Sequence, residues 1–170
     1  MILRPFTPED IEFLYRLRND PVSRAQSRNT DEIAWKRHVE WCASTPDRIL
    51  IAVEGRLQVG YIRVLRHPHE YELSITVAPE WRGLGYGTQM LILASRELIL
   101  DLPLVAYVRL DNLPSTTAFH KAGWRVEGRY IRFAAHPGGG AAGVVRGTPG
   151  DSGSSSAPVE WPRVDEGGEG

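Results

Sequence analysis

The chain has almost no cysteine, no excess of either charge and no long apolar run. Its single cysteine, Cys42, forbids an internal disulfide and suits a reducing compartment. Lysine plus arginine number 20 against 21 acids, a formal net charge of −1. That balance leaves no electrostatic footprint for nucleic acid or an anionic membrane, so neither is expected as a partner. No window reaches the length of a membrane span. The opening Met1–Asp10 lacks the basic-then-apolar order of a signal peptide, and a cytoplasmic location is expected. The five histidines form no ligand-spaced cluster with acids or Cys42, so no metal site is expected.

What is present suits one domain. The 170 residues are 42% apolar and 24% charged, enough for a single core. Ile2 to Phe6 reads as a first strand. Thr7-Pro8-Glu9-Asp10 reads as a helix start, with threonine as cap and proline at the first helical position. Ile11, Leu14 and Tyr15 follow at helical spacing until Asn19-Asp20-Pro21 stops the helix. Val22 to Asn29 is polar and without period. A second helix is predicted from about Asp31 to Ala43, with Ile33, Trp35, Val39 and Trp41 supplying much of its apolar surface.

Arg48 to Val53 and Leu57 to Leu65 read as strands joined at Glu54-Gly55-Arg56, a hairpin signal. Tyr71 to Val77 alternates strictly, placing Tyr71, Leu73, Ile75 and Val77 on one face. A helix from about Gly87 to Leu100, a strand from Leu104 to Leu110, a helix from Leu113 to Lys121 and a strand from Trp124 to Phe133 complete the pattern. From Ala134 the chain holds ten of its 17 glycines and few large apolar residues, so residues 134–170 read as a disordered tail. The order β-α-α-β-β-β-α-β-α-β predicts a mixed α/β sheet over residues 1–133.

The chemistry concentrates in Arg82-Gly83-Leu84-Gly85-Tyr86-Gly87-Thr88, after one strand and before a helix. The first amides of a helix are unpaired and its dipole favours an anion there. Glycines at 83, 85 and 87 clear the backbone for a phosphate; Arg82 adds charge and Thr88 a hydroxyl. A plain tight turn would need one glycine and no arginine. The dinucleotide fingerprint fails because the third glycine comes one residue early, and the nucleotide P-loop fails because no lysine follows.

These residues resemble the GNAT superfamily of acetyltransferases, whose signature Arg/Gln-x-x-Gly-x-Gly/Ala opens a helix after a strand ending near a proline. Val77-Ala78-Pro79 and Arg82 to Gly87 fit it. A second family pattern is matched in order and spacing by Asn112, Ser115, Phe119, Gly123 and Trp124. The resemblance implies a mostly antiparallel sheet with helices on both faces. It also implies a splay between the Tyr71–Val77 and Leu104–Leu110 strands that receives the pantetheine of acetyl-CoA. Cofactor contacts are then expected at Ile75, Val77, Arg82, Gly83, Leu84, Gly85, Tyr86, Gly87, Thr88, Asn112 and Phe119. An amide near Val77 would polarise the thioester oxygen, and a primary amine held beside it would attack directly.

By the same resemblance Glu72 is the candidate catalytic base. A salt-bridged strand carboxylate is the other reading of that residue. Glu70 falls at the strand's edge and is a weaker candidate. Where many family members carry a tyrosine acid this chain has Phe119, which cannot donate a proton. The family's usual closing β-hairpin is not visible past Phe133.

Leu17 to Pro21, Asn29-Thr30, His38 and Trp41 are similar to the branch that acetylates nucleotide-linked amino sugars of the pseudaminic-acid type. Asn19 and His38 are then candidate substrate-binding residues, against plainer readings as a helix-end cap and a surface histidine. A protein N-terminal acetyltransferase of the ribosomal-protein type is the rival within the class. Basic residues in a closed pocket near Arg18 would favour the sugar, and an open acidic groove the peptide. A catalytically silent acyl-CoA-binding module is the rival outside it. A monomer or a homodimer is expected.

Overall fold

A computed structural model describes residues 1–45, 47–127 and 131–135. Its strands are β1 (Ile2–Pro5), β2 (Arg48–Glu54), β3 (Leu57–Arg66), β4 (Tyr71–Val77), β5 (Leu104–Val108), β6 (Arg125–Glu127) and β7 (Ile131–Ala135). Its helices are α1 (Ile11–Asn19), α2 (Pro21–Ala25), α3 (Trp35–Ser44), α4 (Tyr86–Glu97) and α5 (Leu113–Lys121). The strands make one sheet in the order β1-β2-β3-β4-β5-β7-β6. Every neighbouring pair is antiparallel except β4 and β5, which run parallel.

Alternation along the central strands makes two faces. Leu50, Ala52, Ile62, Val64, Tyr71 and Leu73 join Met90, Leu91 and Ala94 of α4 in one buried cluster. Ile49, Ile51 and Tyr61 join Phe13, Leu14 and Leu17 of α1 in the other. Helices therefore cover both faces, as a sheet with two apolar sides requires. On β4, Tyr71 and Leu73 belong to the α4 side. Glu72 and Ser74 therefore share the α1 side with Arg63 and Leu65, their partners across the β3–β4 ladder.

Four local expectations are corrected. The Thr7-Pro8 start gives a single 3-10 turn, Pro8–Asp10, before α1 begins. Asp20-Pro21 ends α1 but also begins α2, because Asp20 Oδ2 accepts the Ser23 N–H at 2.8 Å and proline occupies the first helical position. The helix expected from Asp31 starts at Trp35. The strand expected from Trp124 to Phe133 is two antiparallel strands, β6 and β7, so a closing hairpin does stand beside β5. Its second strand runs to Ala135, and residues 136–170, most of the expected tail, lie outside the described residues.

Candidate active site

β4 and β5 pair only at Tyr71–Leu104 and Glu72–Val105. Beyond Glu72 the two strands part and leave a wedge. Two hydrogen bonds fix which backbone groups face it: Tyr71 N–H donates to Pro103 O at 2.7 Å, toward β5, and Ala78 N–H donates to Val59 O at 2.9 Å, toward β3. A strand turns its N–H and C=O to alternate sides, so Leu73, Ile75 and Val77 present theirs to the wedge.

The glycine turn closes the far end. Gly83 and Gly85 have φ of 76° and 86°, the left-handed region that glycine enters without steric cost. Gly85 is the N-cap of α4, and the first helical bond runs from Gln89 N–H to Gly85 O at 3.1 Å. The amides of Tyr86, Gly87 and Thr88 precede that bond and have no intrahelical acceptor. A Cβ on Gly87 would lie 3.5 Å from both Ile75 Cδ1 and Val77 Cγ2, so the first turn of α4 sits directly on the open end of β4. Tyr86 is held edge to face against Trp81 at 5.4 Å, and Leu84 is exposed at the tip of the turn.

A parted strand pair ending at three free helix amides fits a long ligand with an amide-bearing arm and a diphosphate head. The comparisons agree. The family described as "Acetyltransferase (GNAT) domain" matches residues 1–125. The chain belongs to the GNAT acetyltransferase family. That membership makes it an N-acetyltransferase with acetyl-CoA as acyl donor. No curated protein matches the chain in sequence. Among solved structures, an aminoglycoside acetyltransferase in complex with coenzyme A aligns at a TM-score of 0.66 and 16% identity, over 78% of this chain and 92% of that one. The spermidine N-acetyltransferase of Vibrio cholerae, solved with CoA and spermine, gives 0.65 and 16%, over 78% and 90%. The ribosomal-protein-alanine N-acetyltransferase of Brucella melitensis gives 0.61 and 21%, over 79% and 96%. At these identities the likeness is one of fold.

Ile75, Val77 and Gly83 to Thr88 come together around the wedge, but Arg82 is engaged elsewhere. Its Nε donates to Val77 O at 3.1 Å, and its Nη2 donates to Asp20 Oδ2 at 2.6 Å and to Ser23 Oγ at 3.0 Å. The charge expected beside the phosphate turn is thus paired with Asp20, the cap of α2. Asn112 caps α5, its Oδ1 accepting from Ser115 N–H at 3.1 Å. Phe119, expected at the cofactor, is 2% exposed and packs edge to face on Trp124 at 5.1 Å, as an aromatic facing the α4 cluster would.

Both expected substrate residues are engaged within the protein. Asn19 spends both ends of its amide on Ile33, accepting from its N–H at 2.8 Å and donating to its carbonyl at 3.0 Å. His38 is wholly buried, its Nε2 at 3.0 Å from Ile11 O and its ring ringed by Tyr15, Trp35 and Trp41. Burial pushes its pKa down, with Arg18 adding to the effect against the Ile11 hydrogen bond. Both side chains hold the α1–α3 packing together.

Glu72 lies at the apex of the wedge, on the α1 side. It is 9% exposed, and both carboxylate oxygens are occupied: Arg28 Nη2 donates to Oε1 at 2.9 Å, and His67 Nε2 lies 3.2 Å from Oε2. Across the wedge Tyr107 donates its hydroxyl to Glu70 Oε1 at 2.6 Å. Sequence reasoning missed Arg28, Asp20, His67 and Tyr107. Only Asp20 carried a signal, as a cap residue before proline. A separate open cleft of about 530 Å³ is lined by Arg4, Asp10, Phe13, Gln58 and Trp81 among others and by none of the candidate residues, although its Trp81 packs against Tyr86.

Proposed function

We propose that the chain acetylates a primary amine by direct attack on the thioester of acetyl-CoA, with Glu72 as the base. The observation that carries this reading is the parting of β4 from β5 immediately after Glu72. It sets the backbone of Ile75 and Val77, the amides of Tyr86 to Thr88, and one carboxylate along a single cleft. The backbone of β4 would hold the pantetheine arm, and the helix amides the diphosphate. Val77 N–H would donate to the oxygen on which charge develops.

The reaction balances without a protein acid. The acceptor arrives as an ammonium and loses a proton to Glu72, directly or through water. Its nitrogen then forms the C–N bond as the C–S bond breaks. The nitrogen, now bonded to the acyl carbon, gives up a second proton, and water passes it to the leaving thiolate, whose pKa is about 8.5 for a free thiol; Glu72 releases the first proton to solvent. Phe119, buried and without a donor, has no part in that step.

For the acceptor, a nucleotide-linked amino sugar needs cations for its phosphates. Arg28, Arg63 and Arg82 are paired with Glu72, Asp47 and Asp20. Arg18 lies over the Trp41 ring at 4.2 Å, with burial pushing its pKa down. A compact amine or a peptide N-terminus makes no such demand. The test is release of CoA from acetyl-CoA with amino sugars, nucleotide-linked amino sugars, polyamines and short peptides. Saturable release with one class is the expected result. Tight CoA binding with no release on any amine would establish a silent acyl-CoA-binding module instead.

A further inference from the structure

An acceptor amine must reach Glu72, yet both oxygens of that carboxylate are taken. The two partners differ in how easily they leave. His67 is 37% exposed in its side chain and stands on the turn joining β3 to β4, five residues before Glu72. Arg28 is 74% exposed and stands in the segment between α2 and α3 that has neither helix nor strand. Its guanidinium also lies 5.6 Å from the centre of the Tyr107 ring. One side chain thus crosses from β4 to β5 over the apex of the wedge, joining a carboxylate on one strand to an aromatic face on the other. Those are the two partners a cation seeks: an anion and a negative ring face.

We infer that Arg28 occupies the position of the acceptor's own cation, and that the acceptor is a polycationic amine that displaces it. This rests on the amine-acetylating reading of Glu72 and adds the substrate class and a self-occupied state. One ammonium of the acceptor displaces Arg28 from Glu72, gives up its proton there and enters the wedge, while a second takes the Tyr107 face. Because the Arg28 side chain is largely in solvent, it leaves Glu72 at little cost when another cation replaces it, so Arg28 competes without blocking the site. Amines lacking a second charge match Arg28 at Glu72 but leave the Tyr107 face empty, and Arg28 thereby selects modestly against them. An anionic acceptor would use Arg28 in the opposite sense, as a partner.

The experiment compares wild type, Arg28→Ala and Arg28→Lys with spermidine as the probe, by calorimetric binding in the presence of CoA and by acetylation kinetics. Arg28→Ala is expected to tighten spermidine binding and lower its KM by about fivefold with kcat within a factor of two, while Arg28→Lys stays near wild type. Unchanged or weakened spermidine binding in Arg28→Ala overturns the inference. Acetylation of a peptide or nucleotide-linked sugar by a wild type that binds no spermidine also overturns it, leaving amine acetylation standing. Tightened spermidine binding with no acetylation of any amine keeps the cation position and removes the catalytic reading.

Discussion

Arg82 Nη2 donates to Asp20 Oδ2 at 2.6 Å, and the same oxygen accepts the Ser23 N–H that opens α2 at 2.8 Å. A residue of the glycine turn is therefore fastened to the helix that precedes the Arg28 segment. Burial alone would raise the Asp20 carboxyl, but the Arg82 and Ser23 hydrogen bonds outweigh it and hold the group below its ordinary range. Arg82→Ala is expected to weaken CoA binding by freeing Val77 O and the turn, and to cost about 2 kcal/mol of stability. Asp20→Asn keeps the cap oxygen but loses the charge. A double-mutant cycle on CoA affinity, read by calorimetry, should give a coupling of about 1 kcal/mol. Additive effects, or unchanged CoA affinity in Arg82→Ala, would separate this pair from the cofactor turn.

Gly60 on β3 faces α4 opposite Val77, at the open end of β4. A Cβ there would run into the Thr76 carbonyl oxygen and come within 3.2 Å of Met90 Cε and Sδ. Backbone cannot move aside as a side-chain tip can. Gly60→Ala is expected to cost about 2 kcal/mol and to displace β4 near Val77, weakening CoA binding as well. Thermal unfolding together with CoA titration checks both effects. A variant as stable as wild type would show that β3 and β4 have more room than the register implies.

Residue by residue, legibility followed the strength of the local signal. β4 is readable because seven residues alternate without exception, and the end of α5 because Gly123, with φ of 82°, stops it; the Asn112 cap came from the structure. α2 is not readable, since five residues are too short to display a helical period. On α3 the apolar residues mark the inward stripe but not its most buried member. Trp35 is 48% exposed, while the residue at the buried position is His38. Ring contacts and one carbonyl accommodate the imidazole there, which no spacing rule anticipates. The wedge and the glycine turn were readable only as a motif. That Arg82 and Arg28 spend their charges on Asp20 and Glu72 depends on contacts 62 and 44 residues apart.

Buried His38 makes stability depend on pH. Its folded pKa lies below the ordinary 6.5, so the unfolded chain binds a proton at pH values where the folded chain does not. This group's contribution is complete well above 6.5 and is lost as pH falls through that value toward the folded pKa, at up to about 1.4 kcal/mol per pH unit. Urea unfolding of wild type should therefore weaken between about pH 7 and 5. His38→Gln, which can still donate to Ile11 O, should flatten that slope even if it lowers stability overall. An unchanged slope in the variant would assign the pH dependence to another group.

Glu72 divides two accounts of the site, a working base and a strand carboxylate held in an ion pair. Glu72→Gln keeps the shape and still offers an oxygen to Arg28 Nη2, which now donates at 2.9 Å. Because Arg28 is 74% exposed, the lost charge pairing should change stability by less than about 1 kcal/mol. CoA binding should not change, since the helix amides and the backbone of β4 are untouched. Removing a base that takes the ammonium proton should lower kcat by about a hundredfold. A variant with wild-type kcat would leave Glu72 as a structural carboxylate and move proton removal to water in the wedge. A variant with normal kcat but a raised KM for polyamines alone would keep Glu72 as the anion that Arg28 and the acceptor share.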